Sequence, residues 1–373
     1  MSLGGALTNY SIVTVLLISW AVSDAATAVI CRLATRQGWL DKPGAADHKK
    51  HQVATPTLGG LAMCLGFLVA IGITTKLDSV LAVLLWTAGG IVLTGVLDDL
   101  HGVSAVIKLI VLAIATTALV AHGISLHLLG WPVLDGVLTF LWIGFVSSAF
   151  NGLDNSDGAA AGVALIVGAT VAAIAWGSVQ PDLARLAVAL AGACLGFLRH
   201  NFNPARIFMG DSGSFFLGYI VASILAVGHW SGLPGTELDP ESLVVKSILV
   251  PVVILAVPIF DFMLILVLRG LDGKYRRWVD PIVMCGRDHT AHRLIGLGLS
   301  VREAVLALYL FSVSASSVAL WMFNSFGPTP YVLFGLFMAA TLSLALALRL
   351  VELRQRASGM HPIRFQAASK PAS

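Results

Sequence analysis

Residues 201–214, NFNPARIFMGDSGS, set Asn201, Asn203, Arg206 and Asp211 among glycine and proline breaks between two long apolar runs. A lone acid, a base and open backbone amides in such a stretch suit a metal-bound phosphate. Gly210 and Gly213 flank Asp211, and without a Cβ they let backbone approach a ligand closely. A plain turn between helices would need only the glycines, so the reading depends on four further polar islands.

The stretch DKPGAADHKKHQVATPTLGG offers Lys49, Lys50 and His51 as donors, for a phosphate at the bilayer surface or for anionic headgroups, and Gly59-Gly60 open the next helix. Asp98 and Asp99 end an apolar run, and Lys108 opens the following one. A carboxylate costs about 2.5–3.5 kcal/mol at the centre of a membrane helix and less at its end. Two adjacent acids there suit a divalent cation or a base of raised pKa. Asn151, Asp154 and Asp157 recur at i, i+3, i+6, one ridge of a helix if the helix continues, and such a ridge must face a polar cavity. Asp261 lies in an apolar run ending at Arg269, and beyond it come Arg287, Asp288, His289, His292 and Arg293. The histidine pair has no third ligand of zinc type and reads as hydrogen-bond donors to phosphate. Acids for a hard cation, bases for phosphates and no serine–histidine or thiolate arrangement form the inventory of phosphoryl transfer, where positioning and charge stabilisation do most of the catalysis.

The elements that must position these groups are membrane helices. Of 373 residues, 57% are hydrophobic and 12% charged, against about 25% charged in soluble domains, and mean hydropathy is +0.88. Apolar runs of about 20 residues match ~30 Å of hydrocarbon. The expectation is an all-α polytopic protein with eleven spans near 10–32, 58–75, 79–97, 108–122, 134–151, 158–177, 185–199, 214–230, 246–268, 303–322 and 331–350. Residues 1–352 form one transmembrane domain and 353–373 a disordered tail, with no internal repeat. The first run lacks a cleavage site and is read as retained. Cys31, Cys64, Cys194 and Cys285 have no metal-ligand spacing and read as reduced packing residues. Of 23 Lys and Arg, 20 fall in loops sharing a side with the C-terminus; Lys76, Arg185 and Lys246 are on the other. The positive-inside rule makes the larger set cytoplasmic and the N-terminus external, so all five islands face the cytoplasm. A cation-coupled transporter is the rival from another class, but it would hold its acids near the midplane in repeated halves.

These islands, in this order from 41 to 302, resemble the motifs of the bacterial polyprenyl-phosphate N-acetylhexosamine-1-phosphate transferases. Asp98-Asp99 with Lys108 is similar to the acidic pair and lysine of that family, 151–158 to its DxxDG motif, 201–214 to its FMGD loop, and Pro258-Ile-Phe-Asp261 and 287–294 to its later motifs. The resemblance implies transfer of a HexNAc 1-phosphate, GlcNAc first among them, from a UDP-sugar to undecaprenyl or decaprenyl phosphate in a bacterial inner membrane, with release of UMP. It implies Mg2+ (Mn2+ as substitute) on Asp211 and Asp98, Asp98 facing the lipid phosphate, and Asp99 supporting the metal or lysine. It further implies a uridine pocket of Asn151, Asp154, Asp157, Asn201 and Phe208, and sugar or diphosphate contacts from Asp261, Arg287, His289, His292 and Arg293. Lys49, Lys50, His51 and Lys108 would face phosphate. The partners implied are the UDP-sugar, the polyprenyl phosphate and the membrane, with no nucleic acid and a homodimer left open. The chain departs from the pattern at Thr57, Ser148, Asn155 and in having two loop histidines. HKKH and DHTAHRL stand closer to the UDP-HexNAc branch, and TPTLGG to the branch using UDP-MurNAc-pentapeptide.

Overall fold

Apolar helices fill the molecule. The computed structural model describes residues 11–41, 54–230, 240–273 and 288–357. Its helices are α1 (Ile12–Gln37), α2 (Gly59–Thr74), α3 (Ser79–His101), α4 (Ala105–Ala121), α5 (Pro132–Leu153), α6 (Ala159–Gly177), α7 (Pro181–Asn201) and α8 (Asp211–Val227). They continue as α9 (Pro240–Ile254), α10 (Ala256–Leu271), α11 (Thr290–Gly296), α12 (Val301–Asn324) and α13 (Thr329–Ala357). One small exception to the all-helical expectation is an antiparallel pair, β1 (Leu40–Asp41) with β2 (Thr55–Pro56), in the register Leu40↔Pro56.

Seven of these helices, α1, α3, α5, α6, α7, α12 and α13, are long and apolar enough to cross a membrane. The α9–α10 pair makes an eighth if it counts as one span, and α2, α4 and α8 are shorter apolar helices. The protein is an all-α polytopic membrane protein. The segment 246–268, read from sequence as one span, is bent by 81° between α9 and α10. Two prolines explain the break: Pro251 lies inside α9, and Pro258 in the first turn of α10 has no N–H to carry the hydrogen-bond ladder back across Leu255.

Helix contacts are made close by small residues. Ser19 and Ser23 of α1 are fully buried and donate to the carbonyls of Ala189 (2.6 Å) and Ala193 (2.7 Å) of α7, so the two helices run parallel in register. A Cβ on Gly196 would stand 2.5 Å from the Trp20 carbonyl oxygen, and one on Gly66 2.7 Å from the Ser19 carbonyl oxygen. Such close backbone approach replaces hydrophobic drive, which is absent between helices in lipid. Gly196→Ala is therefore expected to cost about 1–3 kcal/mol as overpacking, seen as a lower melting temperature in detergent. Gly72→Ala, with nothing within 4 Å of its Cβ, is the matched control and should melt like the parent. Cys64 and Cys194 are buried free thiols in the helix packing, as read, and Cys31 is half-buried.

Candidate active site

The end of α3, the first turn of α4 and the start of α8 meet at one point. The Lys108 ammonium, in the first turn of α4, donates to both Asp98 Oδ2 and Asp211 Oδ2. It also lies 5.2 Å from the centroid of the Phe215 ring. Asp98 and Asp211, 113 residues apart on the chain, thus share one cation.

Adjacent residues on a helix point about 100° apart, and the acidic pair divides accordingly. Asp98 faces Lys108, while Asp99 accepts the backbone N–H groups of Asp211 (2.8 Å) and Ser212 (3.2 Å). Asp99 therefore caps α8 from another helix, filling the place an N-cap side chain would take. Gly210, the residue at that N-cap, has φ 73° and would put a Cβ 2.5 Å from Asp99 Oδ2. Only glycine fits there on both counts.

The first two turns of α8 are gripped from three sides. A Cβ on Gly60 of α2 would stand 2.1 Å from the Gly213 nitrogen, and one on Gly95 of α3 would stand 2.3 Å from the Ser212 Cα. On the α5 side, one on Gly218 would meet Ser147 Cα at 2.4 Å. Backbone hydrogen bonds lace 206–210 to the segment before α2: Phe208 N–H to Pro56 O (2.8 Å), Gly59 N–H to Phe208 O (3.0 Å) and Gly60 N–H to Met209 O (2.9 Å). Gly59 and Gly60 do open a helix, and they also hold the segment that delivers Asp211. Gly213, read as a loop glycine, lies inside α8 because α8 starts at Asp211 rather than near 214.

The third island arrives beside this centre by a turn. The expected ridge of Asn151, Asp154 and Asp157 is interrupted, since α5 ends at Leu153 and Gly158 turns the chain at φ 81°. Asn151 stays in the last turn of α5, half-buried. Asp154 follows directly, and burial lifts its carboxyl well above the usual range, with the charges of Asp211, Asp99 and Asp157 adding to the effect. Asp157 turns the other way and accepts from Asn203 Nδ2 (2.8 Å) and the Ala205 N–H (3.0 Å). Asn201 is buried, and both ends of its amide are committed: Oδ1 accepts from the Gly158 N–H (2.9 Å) and Nδ2 donates to the Ile207 carbonyl (2.9 Å). Here Asn201 and Asp157 brace the turn against the loop; Phe208, whose backbone pairs with Pro56 and Gly59, is half-buried.

The fifth island joins through one histidine. Asp261 of α10, 1% exposed, accepts from the Thr290 N–H (2.6 Å) and pairs with His289 Nδ1 (2.7 Å). His289 lies against α5, where a Cβ on Gly152 would be 3.1 Å from its Cε1. The Asp261 carboxylate thereby fixes the ring against the last turn of α5. His292 is half-buried on α11. Arg293 points elsewhere, donating to the Asp288 carbonyl (2.7 Å) and pairing with Glu352. Arg269 grips the Asp288 carboxylate with two bonds of 2.8 and 2.6 Å. The network ties α10 and α11 to α13. Lys49, Lys50, His51 and Arg287 lie outside the described residues.

The structure therefore brings Asp98, Asp99, Lys108, Asp154, Asp157, Asp211 and His289 to one end of the bundle. Sequence reading missed the glycines at 60, 95 and 218 as close-packing positions, and it missed Tyr309 of α12, whose hydroxyl donates to the Gly158 carbonyl (2.6 Å). Among the described residues no three His, Cys, Asp or Glu side chains form a closed metal cage. A magnesium ion needs none, since it keeps several waters and takes one or two carboxylates plus substrate phosphates. Asp98 and Asp211, held on one ammonium with Asp154 close by, are oxygen donors of the kind that ion selects.

A family model described as glycosyl transferase family 4 matches residues 81–229, a stretch that runs from the first turn of α3 through α8 and includes the Asp98–Lys108–Asp211 bridge. A Bacillus subtilis protein named as a probable undecaprenyl-phosphate N-acetylglucosaminyl 1-phosphate transferase is 32% identical over 84% of this chain and 85% of its own length. The decaprenyl-phosphate N-acetylglucosaminephosphotransferase of Mycolicibacterium smegmatis is 32% identical over 89% of this chain and 86% of its own. A phospho-N-acetylmuramoyl-pentapeptide-transferase of Heliobacterium modesticaldum is 35% identical, but over 47% of this chain and 62% of its own.

Proposed function

The chain belongs to glycosyl transferase family 4, the polyprenyl-phosphate N-acetylhexosamine-1-phosphate transferases, and from that premise we propose that it moves N-acetylglucosamine 1-phosphate from UDP-N-acetylglucosamine to a polyprenyl phosphate. Relatives named for N-acetylglucosamine phosphate transfer align over most of the chain, and the one named for the pentapeptide substrate over about half, which supports the sugar assignment. The observation that carries the reading is the Lys108 bridge between Asp98 and Asp211 at the meeting point of three apolar helices.

In the reaction an oxygen of the lipid phosphate forms a bond to the sugar-bearing phosphorus, and the bond from that phosphorus to UMP breaks, its electron pair leaving with UMP. One phosphoanhydride replaces another, so no ATP is required. Asp98 faces the incoming lipid phosphate, to orient it or to take its proton. Lys108 exchanges carboxylate partners for phosphate oxygens as the substrates enter. A magnesium ion held by Asp211 and Asp98 would offset the repulsion between two phosphorylated substrates. Asn151, Asp154 and Phe208 line the nucleotide side, and His289, oriented by Asp261, faces the sugar or diphosphate.

The eleven apolar segments cross the membrane with the N-terminus outside and the catalytic end cytoplasmic. Support comes from the charge bias, 20 of 23 Lys and Arg on one side. Helix direction supports it too. α2 starts and α3 ends at the same face against α8, so α2, 16 residues and about 24 Å long, travels out and α3 returns. We take that membrane to be the inner membrane of a bacterium, a reading supported by the bacterial source of the relatives named above.

The test mixes purified protein, polyprenyl phosphate and Mg2+ with a panel of UDP-sugars and measures UMP. UMP release with UDP-N-acetylglucosamine, dependent on the lipid phosphate, is expected; silence across the whole panel refutes the assignment.

A further inference from the structure

Helix α12 lies outside the family match and carries no acid, histidine or lysine at the centre, yet it reaches both polar turns. Tyr309 Oη donates to the Gly158 carbonyl at 2.6 Å, and Arg302 Nε donates to the Asn203 carbonyl at 2.9 Å. The tyrosine ring sits in a slot cut for it on α6. A Cβ on Gly162 would fall 2.0 Å from the ring's Cζ and Oη, and one on Gly158, a helical turn earlier, 3.2 Å from Oη. A ring placed this tightly fixes its hydroxyl, because neither glycine gives way to any other side chain.

What the hydroxyl holds is the turn that presents the acids. Gly158 is secured at both polar atoms, its N–H by Asn201 (2.9 Å) and its C=O by Tyr309. Asn201 passes the restraint on to the Ile207 carbonyl (2.9 Å), two residues before the Met209 carbonyl that Gly60 holds. A continuous chain of hydrogen bonds thus runs from Tyr309 through Gly158 and Asn201 into the loop that ends at Asp211. Arg302 steadies the same loop from its other side, at Asn203, whose amide binds Asp157.

We propose that Tyr309 is a positioning residue of the transferase: its hydroxyl, seated by Gly158 and Gly162, sets the turn bearing Asp154 and Asp157 against the loop bearing Asp211. The proposal rests on the transferase reading above, and Arg302 is its second anchor. The fold does not depend on the hydroxyl, since the Gly158 carbonyl also accepts the Gly162 N–H at 2.9 Å and would keep a partner.

Tyr309→Phe keeps the ring in its slot and removes only the donor. The expected result is an unchanged melting temperature, kcat for UMP release lower by about ten- to a hundredfold, the scale of a small misplacement, and a smaller change in KM. Hydrogen–deuterium exchange should rise in peptides covering 152–160 and 201–211 and nowhere else. Arg302→Gln, at an exposed position, should raise exchange in 201–206 and lower kcat in the same sense. Parent-like kcat and exchange in Tyr309→Phe overturn the proposal, as does a drop in melting temperature with exchange raised throughout. If the parent protein releases no UMP at all, the transferase reading falls, and the exchange pattern alone still decides whether Tyr309 positions these turns.

Discussion

Asp211→Asn loses about a thousandfold or more in kcat while the protein melts as before. The fold is expected to survive because Lys108 keeps Asp98 as its partner, and the start of α8 keeps its cap from Asp99 and its grip from Gly60 and Gly95. The substitution leaves shape and hydrogen-bonding capacity nearly unchanged and removes one negative charge. With Asp98 it makes the pair of carboxylates that now converge on one ammonium, and that pair is where a cation between two phosphates would be anchored. A thousandfold loss corresponds to about 4 kcal/mol of transition-state stabilisation, within the range found when one charge-stabilising group is removed from a site closed to water. Measurement is UMP release over a range of Mg2+ concentrations, with melting in parallel. The parent should fall silent on chelation and recover on adding Mg2+. Full activity in Asp211→Asn would remove the metal assignment.

The residues that carry this prediction were legible in the sequence because charge in an apolar chain is conspicuous. Asp98, Lys108 and Asp211 each interrupt or flank an apolar run, and their cost in hydrocarbon signals purpose before any contact is known. What each acid does was not legible. Asp98 and Asp99 are neighbours of identical type, and only the direction of α3 relative to α8 sends one to Lys108 and the other to the amides of Asp211 and Ser212. Asp157 and Asn201 read as pocket residues by type, whereas their partners, 46 and 43 residues away, turn them into braces. The bend at Leu255 had its cause in plain view at Pro251 and Pro258, but an apolar run this long reads as one span when hydropathy alone is followed. The interruption of the Asn151, Asp154, Asp157 ridge is the same lesson in reverse: periodicity continued past Leu153, and Gly158 overrode it.

Gly95 was wholly invisible, and it yields the second large effect. Helix α3 carries glycines at 89, 90 and 95, three of a kind in an apolar stretch. In the fold they differ completely. A Cβ at Gly89 or Gly90 meets nothing within 4 Å, while one at Gly95 would stand 2.3 Å from Ser212 Cα and 2.5 Å from its nitrogen. Those neighbours are backbone at the first turn of α8, which no side-chain rotation can relieve. Either α3 or α8 must move by an ångström or more, and the contact lies one helical turn from Asp98 and Asp99. Gly95→Ala should therefore separate Lys108 and Asp99 from Asp211, costing about a hundredfold or more in activity, with about 1–3 kcal/mol of stability lost to overpacking. Gly90→Ala should keep full activity and melt at or slightly above the parent, since alanine is preferred to glycine in a helix by about 1 kcal/mol. Side-by-side melting and UMP release on the two variants decide the matter. An active Gly95→Ala would mean that α3 and α8 tolerate displacement and that the acidic centre does not depend on their contact.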